Sequence, residues 1–276
     1  MAKKTTPKED QPAFPLPKGL LLSMEGRVAT VTLARPERLN ALTIPMYEGL
    51  RDLFEWFKTV HSIRTIILTG KGPGFCSGGD VEDIIGHLLK MSPPELLKFT
   101  TLTCQVIKNM RQCPQPIVAA LNGTVAGAGS ALAVACDVRV AVPEARISFL
   151  FVKAGLSSAD MAASFFLPRL IGLGRATELL YTGDFTDAKT AAQWGLYNRV
   201  VPKARLMKEA MEMANRIAAG PSEGIRVSKQ AVEVQLSMTL EQALEHDARV
   251  QAVLMQHPDF EEAYNAFKGK RAPKFM

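Results

Sequence analysis

Two kinds of apolar periodicity occupy different parts of this chain of 276 residues. As far as Val142, short strand-like runs alternate with helical ones; beyond Leu167 the periodic segments are helical. Residues 20–24 and 28–33 each alternate, with Glu25-Gly26 between them, which predicts a β-hairpin. Residues 44–60 set Tyr47, Leu50, Leu53, Phe54 and Phe57 on one helical face. The short apolar runs 65–69, 117–121 and 138–142 read as buried strands, and 93–110 and 128–136 as the helices between them. Later helices are expected at 175–181, 188–194, 204–219, 222–234, 240–255 and 259–267. Alternation followed by helices alone predicts an α/β core with a helical end that covers the sheet or packs on a neighbouring subunit. The chain divides accordingly into a disordered tail over 1–17, a core over 18–203 and a helical C-terminal subdomain over 204–276.

Hydrophobic residues make up 47% of the chain and charged ones 22%, enough apolar material for a sizeable core. No uninterrupted apolar run is long enough to cross a bilayer, so no membrane partner is expected. The first residues hold lysines but no apolar stretch like that of a secretory signal, and Glu9 and Asp10 argue against a mitochondrial leader. The ending Lys274-Phe275-Met276 is not a peroxisomal tripeptide. Cys76, Cys104, Cys113 and Cys136 lack CxxC spacing and read as reduced thiols, which suits the cytoplasm. His61, His87, His246 and His257 lack ligand spacing, so no metal is expected. The net charge of +6 suits a phosphate-bearing ligand. Without a basic helix carrying interleaved aromatics, no nucleic-acid partner is expected.

Two glycine-rich loops stand out. Gly74-Phe-Cys-Ser-Gly-Gly-Asp80 follows a strand, and Asn122-Gly-Thr-Val-Ala-Gly-Ala-Gly129 joins a strand to a helix. Glycine lets backbone N–H groups approach a ligand closely, and a loop opening into a helix aims free donors at it. Two such loops converging could form an oxyanion hole, in which one lost donor costs about 3–4 kcal/mol of barrier. Glycine turns that serve packing alone give the same local pattern. No Gly-Lys-Ser/Thr follows either loop, and neither is a GxGxxG with an acidic residue about twenty positions on, so phosphate-loop and dinucleotide sites are excluded.

Several segments, taken together and in order, resemble the crotonase (enoyl-CoA hydratase/isomerase) superfamily. They are Leu33-Ala-Arg-Pro-Glu-Arg-Leu-Asn-Ala-Leu42, Phe75-Cys-Ser-Gly-Gly-Asp80, Pro116-Ile-Val-Ala-Ala-Leu-Asn-Gly123, Ala126-Gly-Ala-Gly129, Leu167-Pro-Arg-Leu-Ile-Gly172, Tyr181-Thr-Gly183 and Ala266-Phe-Lys-Gly-Lys-Arg271. The resemblance implies an α/β, crotonase-like (ClpP/crotonase) fold: a spiral of ββα units with a helical C-terminal part, assembled as a homotrimer or dimer of trimers. It implies an acyl-CoA thioester as substrate, with coenzyme A entering as part of it and no separate cofactor. The thioester-binding amides fall on Gly79 and Ala128. Arg38 to Ala41, and the backbone of Ser77, Gly78, Gly79 and Asp80, resemble the segments that hold the pantetheine and adenine; Gly127 precedes the second amide. Lys268, Lys270 and Arg271 resemble the segment that meets coenzyme A phosphates, often from a neighbouring subunit; a solvated basic terminus gives the same pattern.

Two glutamates that activate water in the family's hydratases fall here on Ala131 and Phe151, which cannot transfer protons. Positioned acid–base groups are each worth about 10²–10⁴-fold, so two-glutamate hydration is not expected. Asp160 lies near the position where several family isomerases carry a lone acid, with one extra residue between Gly155 and Pro168. It implies double-bond isomerisation through a stabilised dienolate. A hydratase or lyase with a different carboxylate arrangement, and a non-catalytic acyl-CoA-binding relative, are the alternatives. Asp160 also suits the N-cap of a helix over 161–167. Ser157 and Ser158 read as turn residues, Asp80 as a helix cap and Glu144 as a surface residue. Phe54, Phe57, Phe165, Phe166 and Leu89 could line an acyl pocket or belong to the core.

Overall fold

The described residues, 11–276 of a computed structural model, begin their regular structure with the expected hairpin. Strands β1 (Leu20–Glu25) and β2 (Val28–Leu33) pair antiparallel, with Leu22 opposite Val31. Helix α1 (Ile44–Phe57) carries the chain over to β3 (Thr65–Gly70), which is parallel to β2. Thr43 starts α1 by accepting the Met46 N–H, and the face predicted from periodicity is buried. A π-type turn at Val81–Ile85 and the short α2 (Gly86–Leu88) lead into α3 (Pro93–Gln112), opened by a Ser92–Glu95 capping box. Then follow β4 (Ile117–Leu121), β5 (Val125–Ala126), α4 (Ala128–Ala135), β6 (Val138–Ala141) and β7 (Ile147–Ser148).

Among the described residues the main sheet runs β1-β2-β3-β4-β6-β8, parallel after the hairpin. Strands β5 and β7 form a second, small parallel sheet, and a bridge from Cys76 to Val125 ties it to the first glycine loop. Ile66, Ile67 and Leu68 on β3 and all of β4 are buried, which explains their continuous apolar runs.

The later chain adds α5 (Ala163–Ile171), α6 (Leu173–Thr182), α7 (Ala188–Gln193), β8 (Arg199–Val200), α8 (Leu206–Ala218), α9 (Ser222–Gln235), α10 (Leu240–Leu254) and α11 (Pro258–Lys268). The expectation of helices alone in this region is corrected by β8, which pairs with β6. A two-residue strand ahead of Pro202 is too short to show a period. Helix α8 packs on β2, β3, β4 and β6, burying Leu206, Ala210, Ala214 and Ala218. It therefore covers the sheet, whereas α10 buries none of its side chains and exposes Leu240, Leu244 and Val253.

Candidate active site

The first glycine loop is fixed by two buried asparagines. Gly74 O accepts from Asn40 Nδ2 at 2.8 Å and from Asn122 Nδ2 at 2.9 Å. Its descending limb then lies beside residues 39–42. Ser77 N–H donates to Leu39 O at 3.0 Å, Leu42 N–H to Gly78 O at 2.8 Å, and Asp80 N–H to Leu42 O at 2.8 Å. Gly79 sits inside this ladder, and its N–H donates to no acceptor among the described residues.

The second loop is held by Ala126 N–H on Cys76 O at 2.9 Å and Gly127 N–H on Ser148 O at 3.0 Å. Ala128 is the first residue of α4, so its N–H has no helical partner, and it finds no other among the described residues. The loops touch. A Cβ placed on Gly127 would lie 3.5 Å from Gly78 Cα, and one on Gly78 3.7 Å from Ala128 N. The loops are thus in contact, and the Gly79 and Ala128 amides are both without a protein acceptor among the described residues.

Asp80 is a structural residue, as read. Its Oδ1 accepts the N–H groups of Glu82 and Asp83, and its Oδ2 receives Arg35 at 2.9 Å. The Asp83 N–H, with Arg35, holds its carboxyl below the usual carboxylate range. Ala41 is buried, and its carbonyl accepts from Arg35 at 2.7 Å. Arg38 pairs with exposed Glu82 at 2.8 Å, and its carbonyl accepts the Ser77 hydroxyl at 3.2 Å. Residues 39–42 and 77–80 thus run side by side, and Gly127 and Ala128 lie against Gly78.

The basic end does not reach these segments through any of its described hydrogen bonds. Arg271 grips Glu262 with two bonds, at 2.6 and 2.8 Å, and pulls that carboxyl down to about 2; Lys268 lies over the Tyr264 ring. The sequence offered a phosphate contact or a solvated terminus for this run and did not foresee the Arg271–Glu262 pair, whose partners stand nine residues apart.

Asp160 opens a 3-10 turn, Asp160–Ala162, and α5 begins only at Ala163. The N-cap reading is therefore corrected: Ala162 precedes the helix, and no side chain caps it. Met161 and Ala162 both have left-handed backbone, at φ 46° and 62°. Non-glycine residues seldom adopt it, so this turn carries strain of about 1–3 kcal/mol per residue. It packs on α3 and α4. Asp160 is half-buried, and burial pushes its carboxyl above the usual range against the opposing Met161 N–H. Ala131 and Phe151, where the resemblance sets the two hydratase glutamates, are buried. Ser157 accepts from Ala159 N–H, and Ser158 donates to Phe149 O, as turn residues do. Glu144 is exposed.

Phe54 and Phe57 pack on each other in the core, so they do not line a pocket; Leu89 is 84% exposed, and Arg169 lies over the partly exposed Phe165 ring. Sequence reasoning missed Asn40 and Arg35 as the groups that set the loops, although both sit in the quoted Leu33–Leu42 segment. The available signal was weak, because Asn40 and Arg35 stand among other polar residues of that segment and their burial shows only in the structure.

The sequence profile described as "Enoyl-CoA hydratase/isomerase" matches residues 23–276. The chain is 32% identical over 256 residues to the 1,2-epoxyphenylacetyl-CoA isomerase of Escherichia coli (strain K12), covering 93% of this chain and 97% of that protein. It is 34% identical over 251 residues to an enoyl-CoA hydratase of Alternaria alternata, covering 90% and 83%. Among solved structures, a candidate enoyl-CoA hydratase from Streptomyces coelicolor A3(2) superimposes with a TM-score of 0.93 at 43% identity, over 100% of this chain and 99% of that one. The fold, the two glycine loops and these matches agree: the chain is an enzyme of the enoyl-CoA hydratase/isomerase family, within the crotonase superfamily.

Proposed function

We propose that the protein moves the double bond of an enoyl-CoA thioester, with the N–H groups of Gly79 and Ala128 binding the thioester oxygen and Asp160 carrying the proton. The observation behind this reading is the pair of amides without protein acceptors at the contact between the loops. Asp160 takes a proton from the α-carbon of a 3-enoyl thioester. The electron pair passes to the thioester oxygen, giving a dienolate that the two amides stabilise. The carboxylic acid then returns the proton to the γ-carbon, and the double bond lies between the α- and β-carbons. Strain held beside Asp160 supports a functional placement, since such turns cluster at working sites.

The pantetheine and adenine would run along residues 38–41 and 77–80, with no cofactor beyond the coenzyme A of the substrate. Lys268, Lys270 and Arg271 would meet the phosphates of a substrate bound to a neighbouring copy. The exposed apolar side chains of α9–α11, among them Val232, Leu244 and Phe260, support a homotrimer or dimer of trimers. The free cysteines suit the cytoplasm.

Replacing Asp160 by Asn tests the proposal. Conversion of a 3-enoyl-CoA, followed as the conjugated thioester's ultraviolet absorbance appears, should fall by about 10²–10⁴-fold while acyl-CoA still binds. Undiminished conversion removes Asp160 from the mechanism. Hydration is a second reading, favoured by the relatives named as hydratases. Water addition to a 2-enoyl-CoA, seen as loss of the same absorbance, separates the two.

A further inference from the structure

Tyr47 carries a hydroxyl that the fold does not use. Its ring lies on the buried face of α1, 3% exposed, and meets Phe99 of α3 edge-on at 5.9 Å. The hydroxyl has no hydrogen-bond partner among the described residues. The ring is buried but the oxygen itself is not sealed off, and phenylalanine would fill the same space without offering a donor. The position of the oxygen is specific. A Cβ placed on Gly79 would stand 3.9 Å from Tyr47 Oη and 3.6 Å from Ile84 Cδ1. A Cβ on Gly78 instead faces Ala126 O, Gly127 Cα and Ala128 N. Tyr47 and Ala128 therefore approach successive residues of the first loop from different sides. The hydroxyl stands close to Gly79, away from the Gly78–Ala128 contact.

Helix α3, on which the Tyr47 ring packs, also carries the Asp160 turn. Burial first, then the Cys76 thiol and the Asp160 carboxylate, holds the Tyr47 phenol well above the usual tyrosine range. At neutral pH it is a proton-bearing donor and not a base.

We propose that Tyr47 is a specificity residue whose hydroxyl donates a hydrogen bond to an oxygen on the acyl group, so that the preferred substrate is an acyl-CoA bearing a hydroxyl, carbonyl or epoxide oxygen near the reacting carbons. A site built around a donor rejects the analogue that lacks the acceptor, because the donor is then left unpaired. This inference rests on the acyl-CoA reading of the site, but not on Asp160 performing the chemistry.

Binding calorimetry on the full chain tests it with butyryl-CoA against acetoacetyl-CoA and 3-hydroxybutyryl-CoA. The wild type should bind at least one oxygen-bearing thioester about tenfold more tightly than butyryl-CoA. Tyr47→Phe should erase that difference and leave thermal stability close to that of the wild type. No preference in the wild type, a preference that survives in the variant, or equal weakening of all three thioesters overturns the inference. Wild type that binds none of the three overturns the acyl-CoA site itself. Loss of the Asp160 reading alone leaves these affinities as they are.

Discussion

Gly78 lies against the backbone nitrogen of Ala128: a Cβ on Gly78 would come within 3.7 Å of that nitrogen and 3.3 Å of Ala126 O. Gly78 also has φ +111°, a conformation that side chains make costly. Gly78→Ala should therefore push the two loops apart by a few tenths of an ångström and misalign two amides that must reach one oxygen. Turnover is expected to fall by about 10²–10³, the loss typical of one oxyanion donor. The cooperative thermal transition should survive, at a cost of about 1–3 kcal/mol. Steady-state kinetics and thermal melts on the same preparation read both effects, and wild-type turnover would show that the contact does not set the amides.

Gly129 has a different reason to be glycine. A Cβ there would stand 2.4 Å from Cys76 O and 2.7 Å from Cys76 Cβ, and Cys76 is fully buried in the core. Helix α4 would have to retreat from the first loop. Gly129→Ala should cost about 1–3 kcal/mol in urea denaturation. Gly174→Ala in α6 is the control, since nothing lies within 4 Å of its Cβ. That change should be neutral or stabilise by up to about 1 kcal/mol.

These two glycines show how far the sequence could be read. A loop that needs glycine for packing and one that needs it to present an amide have the same letters. Local pattern left the choice open; the family resemblance suggested amide presentation, and the Gly127–Gly78 approach adds that the two loops touch. Periodicity marked α1, α3, β3 and β4 because their buried faces span several turns or residues. It missed β5, β7 and β8, which have two residues each. Tyr47 was legible as a core position from its spacing, but the freedom of its hydroxyl depends on partners brought in from Gly79 and α3. The Asp160 cap failed because the chain turns left-handed at Met161 and Ala162, which no propensity for those residues foretells.

Asp80 gives a pH prediction of definite sign. Its folded pKa is depressed, so the stability it contributes is present above the unfolded value of about 3.9 and is lost as pH falls through the folded value. Asp80→Asn removes the charge partner of Arg35 and weakens the acceptor for Glu82 and Asp83 N–H. At pH 7 the variant should be less stable than wild type by about 1–3 kcal/mol. The gap should shrink steadily in melts taken below about pH 4. A gap that is independent of pH would mean that the charge on Asp80 contributes nothing.

Asp160 has the opposite linkage. Its folded pKa is raised by burial, so the stability associated with its protonated form is present below about pH 3.9 and is lost as pH rises through the folded value. At neutral pH the wild type keeps a half-buried carboxylate, at a cost that Asp160→Asn removes. The variant should therefore melt higher than wild type at pH 7 and level with it in acid. Turnover has the reverse dependence, because proton abstraction needs the carboxylate. The kcat/KM of the wild type should decline on the acid side with an apparent pKa above the ordinary aspartate value of about 3.9. A variant that gains stability while losing turnover identifies a group held in place for chemistry against its own solvation. If Asp160→Asn melts lower at neutral pH, favourable contacts outweigh the lost solvation of the carboxylate, and the group is not held at a cost to the fold.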